Sequence, residues 1–139
     1  MEQEDYILRE IEKIGLIMSA IRQKIFGGKE NLAITIEHQI DNAKGELLKG
    51  ANFDLDKFLD LNIEEGDKYI LSLEGFNVEN IEILADCFSE IGFRDNCNNS
   101  KKYLEKALQL YYLCNLESKT YSFERETNIN AINNALQLW

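Results

Sequence analysis

Between Val78 and Tyr112 the apolar residues return every three or four positions in two successive runs. The first is Ile81, Leu84, Ala85, Phe88 and Ile91, and the second is Tyr103, Leu104, Ala107, Leu108 and Tyr111. That period puts each set on one side of a helix, and small Ala85 sits where a partner helix must come close. Gly92 marks the end of the first run, and the stretch Phe93 to Asn99 separates it from the second. Asn99 or Ser100 offers a side chain that can accept a bond from a free amide of the second helix's first turn. Two amphipathic helices joined by a short loop are expected to pack as antiparallel neighbours.

A longer stripe opens the chain. Ile7, Ile11, Ile14, Met18, Ile21 and Ile25 step by four and three, which predicts a helix from about Glu2 to Phe26, closed by Gly27 and Gly28. Acidic Glu2, Glu4 and Asp5 complement the positive end of such a helix. The stripe has two possible uses: seating the helix on its own chain, or pairing it with a second copy in a homodimer. Leu8, Ile17 and Phe26 form a second partial face. A second helix is expected from about Glu30 to Lys49, with Ile36, Ile40, Ala43 and Leu47 inward and Gly50 at its end. The intervening Gly-Gly-Lys turn makes the pair an antiparallel hairpin.

From Ala51 to Asn77 two short helical pieces are expected, LDKFLDL capped by Asp54 and IEEGDKYILSL capped by Asn62. Glu65 stands three residues after Asn62, the spacing of a capping box. Phe53, Leu55, Phe58, Leu59, Leu61, Tyr69, Ile70 and Leu73 are too many for a free tether, so this stretch should pack as a bridge. A closing helix is expected from about Tyr121 to Gln137, with Phe123, Ile129, Ile132 and Leu136 inward, Leu138 as a further inward candidate, and Trp139 as a last core anchor or an exposed contact residue. Its run Thr127 to Asn134 is rich in poor helix formers, so packing must hold it.

Leu84, Ala85 and Phe88 in one helix, then Ser100, Leu104 and Ala107 in the next, resemble the defining positions of a tetratricopeptide (TPR) hairpin. The loop is about three residues longer than that repeat's period, and Leu104 replaces the usual aromatic. Members of that family bind peptides or proteins through the concave surface of stacked repeats, so the resemblance implies an interaction role. The whole chain, beginning DYILREIEKI, is also similar to a group of small uncharacterised bacterial helical proteins, which implies no activity.

The 139 residues suffice for one domain, and a 45% hydrophobic content argues against disorder. Proline is absent, which favours uninterrupted helices. The formal charge is -10. Up to Gly75 there are 16 acidic and 9 basic residues, and afterwards 9 and 6, so neither part is a basic module. Such a field repels nucleic acid and anionic membranes. The N-terminus lacks the pattern of a signal peptide, and no run approaches the roughly 18 apolar residues of a membrane span. Cys87, Cys97 and Cys114 are odd in number and widely spaced, which fits a cytoplasmic chain better than a secreted disulfide scaffold.

Few groups could carry chemistry. His38 is the only histidine, between Glu37 and Asp41 on a polar face. Cys97 in RDNCNN has Arg94 nearby but no identifiable base. Glu79, Glu82, Asp86 and Glu90 form an acidic ridge at helical spacing, read first as a solvated face. They lack the paired Glu-x-x-His motifs of a helical di-metal site. Gly27 to Lys29 lacks both the leading glycine and the Ser/Thr of a phosphate loop. No metal and no cofactor is expected.

Contact is the stronger reading. Tyr103, Tyr111, Tyr112, Tyr121 and Phe123 lie near Lys101, Lys102, Lys119 and Arg125, where any exposed member would grip an apolar or acidic peptide segment. The expectation is an all-α chain with an N-terminal hairpin over 1–50, a bridge over 51–77 and a TPR-like hairpin with a closing helix over 78–139. A non-catalytic protein-binding role would use Asp86, Glu90, Lys102, Tyr103, Tyr112 and Arg125. A homo-oligomer built on the isoleucine stripe is the alternative, and a small helical enzyme or ligand carrier the less favoured third.

Overall fold

The computed structural model describes residues 2–27, 36–94 and 99–138, and every element in them is a helix. In order these are α1 (Glu2–Gly27), α2 (Ile36–Ala51), α3 (Leu55–Asp60), α4 (Ile63–Ser72), α5 (Val78–Gly92), α6 (Ser100–Ser118) and α7 (Phe123–Leu136). The expected beginning of the second helix, the Gly-Gly-Lys turn, Cys97 and Trp139 lie outside the described residues.

The periodic residues explain where the core sits. Ile14, Met18, Ile21 and Ile25 of α1 are buried together with Ile40, Ala43 and Leu47 of α2. Lys24 pairs with Glu46, and a Cβ on Gly50 would lie 2.6 Å from Ile17, so residues late in α1 face the middle of α2 and earlier ones face its end. The two helices are therefore antiparallel, and Gly50 permits their close approach. Ile7 is exposed and Ile11 half-buried, so only the last four positions of the stripe reach the core. Those four side chains are used inside the chain, and pairing with a second copy through them would require opening the core.

Helix α5 lies parallel to α1. The Asn80 side-chain amide donates to Ile11 O (3.0 Å) and Gly75 O (2.7 Å), and Arg94 at the other end donates to Ile25 O (2.7 Å). Gly75 has φ +84°, and an added Cβ would lie 2.5 Å from Ile14 and 2.7 Å from Glu10 O. Only glycine fits this turn, because the backbone is left-handed and abuts α1.

Helices α5 and α6 form the antiparallel hairpin anticipated from their spacing. Ile81, Leu84, Ala85, Phe88 and Ile91 are buried against Tyr103, Leu104, Ala107, Leu110 and Tyr111, while Leu108 is only partly buried. The α6 cap differs from expectation. Asn99 makes no side-chain cap bond, and the Ser100 hydroxyl instead donates back to Arg94 O at 3.2 Å.

The bridge joins this hairpin to α1 and α2. Asp54 and Asn62 cap α3 and α4 by accepting from Lys57 N (3.2 Å) and Glu65 N (2.8 Å). Phe53 is fully enclosed, with ring centres of Phe58, Tyr69, Phe76 and Phe88 at 5.5, 5.9, 6.1 and 6.5 Å. Tyr103 meets Phe88 edge-on at 5.5 Å. Tilted and edge-on aromatic pairs at these separations match the ring quadrupole's preference, so the bridge is a structural centre rather than a tether.

Candidate functional site

The hairpin of α6 and α7 builds two layers, one polar and closed, the other apolar and exposed. Ser122 caps α7 by accepting from Arg125 N at 3.2 Å. This cap sets the helical phase that turns Arg125, Ile129 and Ile132 inward. Phe123 is the first helical residue and points outward at 74% exposure, contrary to the expected inward position. Its outward phase follows from those three buried positions, which are four and three residues apart.

Arg125 is the hub of the closed layer. It is 5% exposed, and its guanidinium donates twice to Glu82 Oε1 (3.2 and 2.7 Å), to Asn115 Oδ1 (3.0 Å) and to Ser118 Oγ (3.4 Å). One turn further along α5, Asp86 accepts from the Tyr111 hydroxyl and from Arg22 (3.3 Å), and Asn128 donates to Tyr111 at 3.4 Å. Burial raises the Asp86 pKa, an effect that the Tyr111 hydrogen bond and Arg22 oppose and Glu82 reinforces. Burial likewise raises the Tyr111 pKa, with the Asp86 charge adding to it. The Cys87 and Cys114 thiols are both pushed up to about 12, first by burial. These groups are held in their neutral or paired forms. This layer therefore joins four helices, α1, α5, α6 and α7.

The acidic ridge is solvated at exposed Glu79 and paired along the rest of its length. Glu82 and Asp86 hold Arg125 and Arg22, and Glu90 holds Arg94 at 2.9 Å. The six candidate contact residues do not form one surface. Tyr103 belongs to the core and Arg125 to the closed layer, whereas Lys102 reaches Asp60 of α3 at 3.1 Å. Asp86 and Glu90 face α1 and the α5 terminus. Lys102 and Tyr112 remain exposed on α6, and Tyr112 lies beside α7, its hydroxyl accepting from Asn133 at 3.4 Å.

Around Tyr112 lies the exposed layer. Tyr112, Leu116, Tyr121 and Phe123 fall within twelve residues spanning the α6–α7 turn and are 45, 70, 77 and 74% exposed. Leu116 was absent from the sequence-based set, although it stands four residues after Tyr112 and so shares its helical face. With 150–250 Å² per aromatic side chain, these four together expose on the order of 500–600 Å². Exposed Glu117 and Glu124 flank them, with half-buried Glu126 behind and Lys119 as the nearby cation.

His38 is exposed on α2. Among the described residues no group of His, Cys, Asp and Glu is arranged to hold a metal, and no helix is long and apolar enough to cross a membrane. No protein-family model, curated protein or solved structure matches the chain.

Proposed function

We propose that this chain is a non-catalytic, cytoplasmic protein-interaction module that docks a partner on the outer edge of its α6–α7 hairpin. The observation that carries the reading is the set Tyr112, Leu116, Tyr121 and Phe123, four large apolar side chains exposed within twelve residues of the α6–α7 hairpin. Large aromatic side chains on a rigid hairpin give contact area at low entropic cost. The closed layer beneath them, centred on Arg125, holds the two helices in register. A TPR-like role for α5 and α6 agrees with their antiparallel packing, and the contact edge lies on the side of α6 next to α7.

Charge selects the partner's chemistry. Glu117, Glu124 and Glu126 outnumber Lys119 around the patch, and the chain carries -10. The partner is therefore a protein presenting an apolar segment flanked by lysine or arginine, rather than an acidic peptide. Affinity capture from the source organism, comparing wild type with a Leu116→Glu, Phe123→Ser variant of unchanged helicity, tests this reading. The expected result is one stoichiometric partner, retained by wild type and lost by the variant, whose mapped binding segment is basic and apolar. Equal recovery by both proteins, or a partner segment that is acidic, would overturn it.

A further inference from the structure

A second feature lies on the opposite side of α6. Two charged side chains among the described residues are buried, Arg125 at 5% and Lys106 at 7% exposure. Arg125 has Glu82 as its counter-ion, whereas among the described residues no carboxylate lies within ion-pair distance of Lys106. The Lys106 ammonium donates to Leu61 O and to Gln109 Oε1 (3.1 Å), and it stands 4.8 Å from the Phe58 ring centre. All three partners are neutral. Burial lowers the Lys106 pKa, and Lys102 adds to the effect, while Asp67, Glu105 and Asp60 act against it. Buried charges are normally matched by an opposite charge in direct contact, whereas the carboxylates of Asp67, Glu105 and Asp60 act on Lys106 from beyond ion-pair distance.

The same lysine lines a cleft of about 690 Å³ between α6 and the α3–α4 junction, within the range of small-molecule sites. Its walls include apolar Leu59, Leu61 and Ile63. On the rim Asp60 holds Lys102 at 3.1 Å, and Glu64, itself paired with Lys68 outside the cleft at 3.4 Å, is a further lining carboxylate. Glu105 is exposed, and Lys106 is the one buried charged residue among those lining the cleft.

We propose that this cleft binds a small aliphatic monocarboxylate, its carboxylate against the Lys106 ammonium and its hydrocarbon part against Leu59, Leu61 and Ile63. One ammonium without a carboxylate in direct contact, in a chain of -10, matches a single negative charge better than a multiply charged anion. This site is separate from the α6–α7 edge, so either proposal can fail without the other.

Amide NMR titration of the whole chain at neutral pH with hexanoate, hexanol and inorganic phosphate tests it. Hexanoate should give saturable shifts confined to residues 59–64 and 102–109. It should bind at least about tenfold more tightly than hexanol, because a charge-assisted hydrogen bond is worth that ratio or more. Lys106→Gln should abolish the preference, and Lys101→Gln, at an exposed position outside the lining, should preserve it. Equal binding of acid and alcohol, saturation of the same residues by phosphate, or absence of saturable shifts with hexanoate would each overturn the proposal. Should Lys106→Gln fail to fold, the acid-to-alcohol ratio on the wild type decides alone.

Discussion

Replacing Arg125 by methionine removes the hub of the closed layer while keeping most of its aliphatic volume. Four hydrogen bonds disappear, two of them to Glu82 Oε1, and the Glu82 side chain, 24% exposed, is left without its cation. Breaking a fully buried pair costs about 3–5 kcal/mol. The partial exposure of Glu82 lets water recover part of its solvation, so about 2–3 kcal/mol is the expected loss. With an unfolding entropy of about 2.1 cal/mol/K per residue over 139 residues, that is a drop of roughly 7–10 °C in midpoint. Urea denaturation followed by circular dichroism gives the free energy directly. A double-mutant cycle with Glu82→Gln isolates the pair, and it should return a coupling of about 1–2 kcal/mol. A loss below about 0.5 kcal/mol for Arg125→Met would refute the reasoning, since the guanidinium would then not hold α7 to α5 and α6.

Asp86 should make the chain's stability depend on pH in an unusual direction. Its folded pKa is raised, so its contribution is fully present below the unfolded value and is lost as pH rises through the folded value. Wild type should therefore gain stability relative to Asp86→Asn as urea titrations move from pH 7 towards pH 4, and a relative loss would count against the assignment. Gly75→Ala should destabilise by about 2–4 kcal/mol, because the added carbon meets Ile14 and the α1 backbone in a left-handed turn; chemical denaturation measures it. Lys119 closes α6 at φ 57°, so Lys119→Gly should raise the denaturation midpoint, by up to about 1 kcal/mol. Cys87 and Cys114, with thiols pushed up to about 12, should resist iodoacetamide in the native protein and react on unfolding, as read by peptide mass spectrometry.

The all-helical class was legible because helical periodicity is a local property. Ile14, Met18, Ile21 and Ile25 announce an inward face, and Asp54 and Asn62 announce two helix starts within one turn of the residues they cap. The site was less legible because exposure depends on which helix lies opposite. Tyr103 and Tyr112 are indistinguishable as residue types, yet one meets Phe88 in the core and the other faces outward beside Asn133. The phase of α7 depends on Ser122 as its cap, so Phe123 moved from an expected core position to the exposed edge. Arg125 and Lys106 were equally opaque. Each resembles a surface cation until Glu82, or Leu61 O and Gln109, is brought to it from a distant part of the sequence.

The docking edge is tested most directly by placing a photo-crosslinking amino acid at Leu116, and separately at exposed Asp41 on α2, in the source organism. The account predicts a single crosslinked partner protein from position 116 and none from position 41, with the crosslink mapping to an apolar segment flanked by basic residues. Equal crosslinking from both positions, or none from position 116, would contradict it.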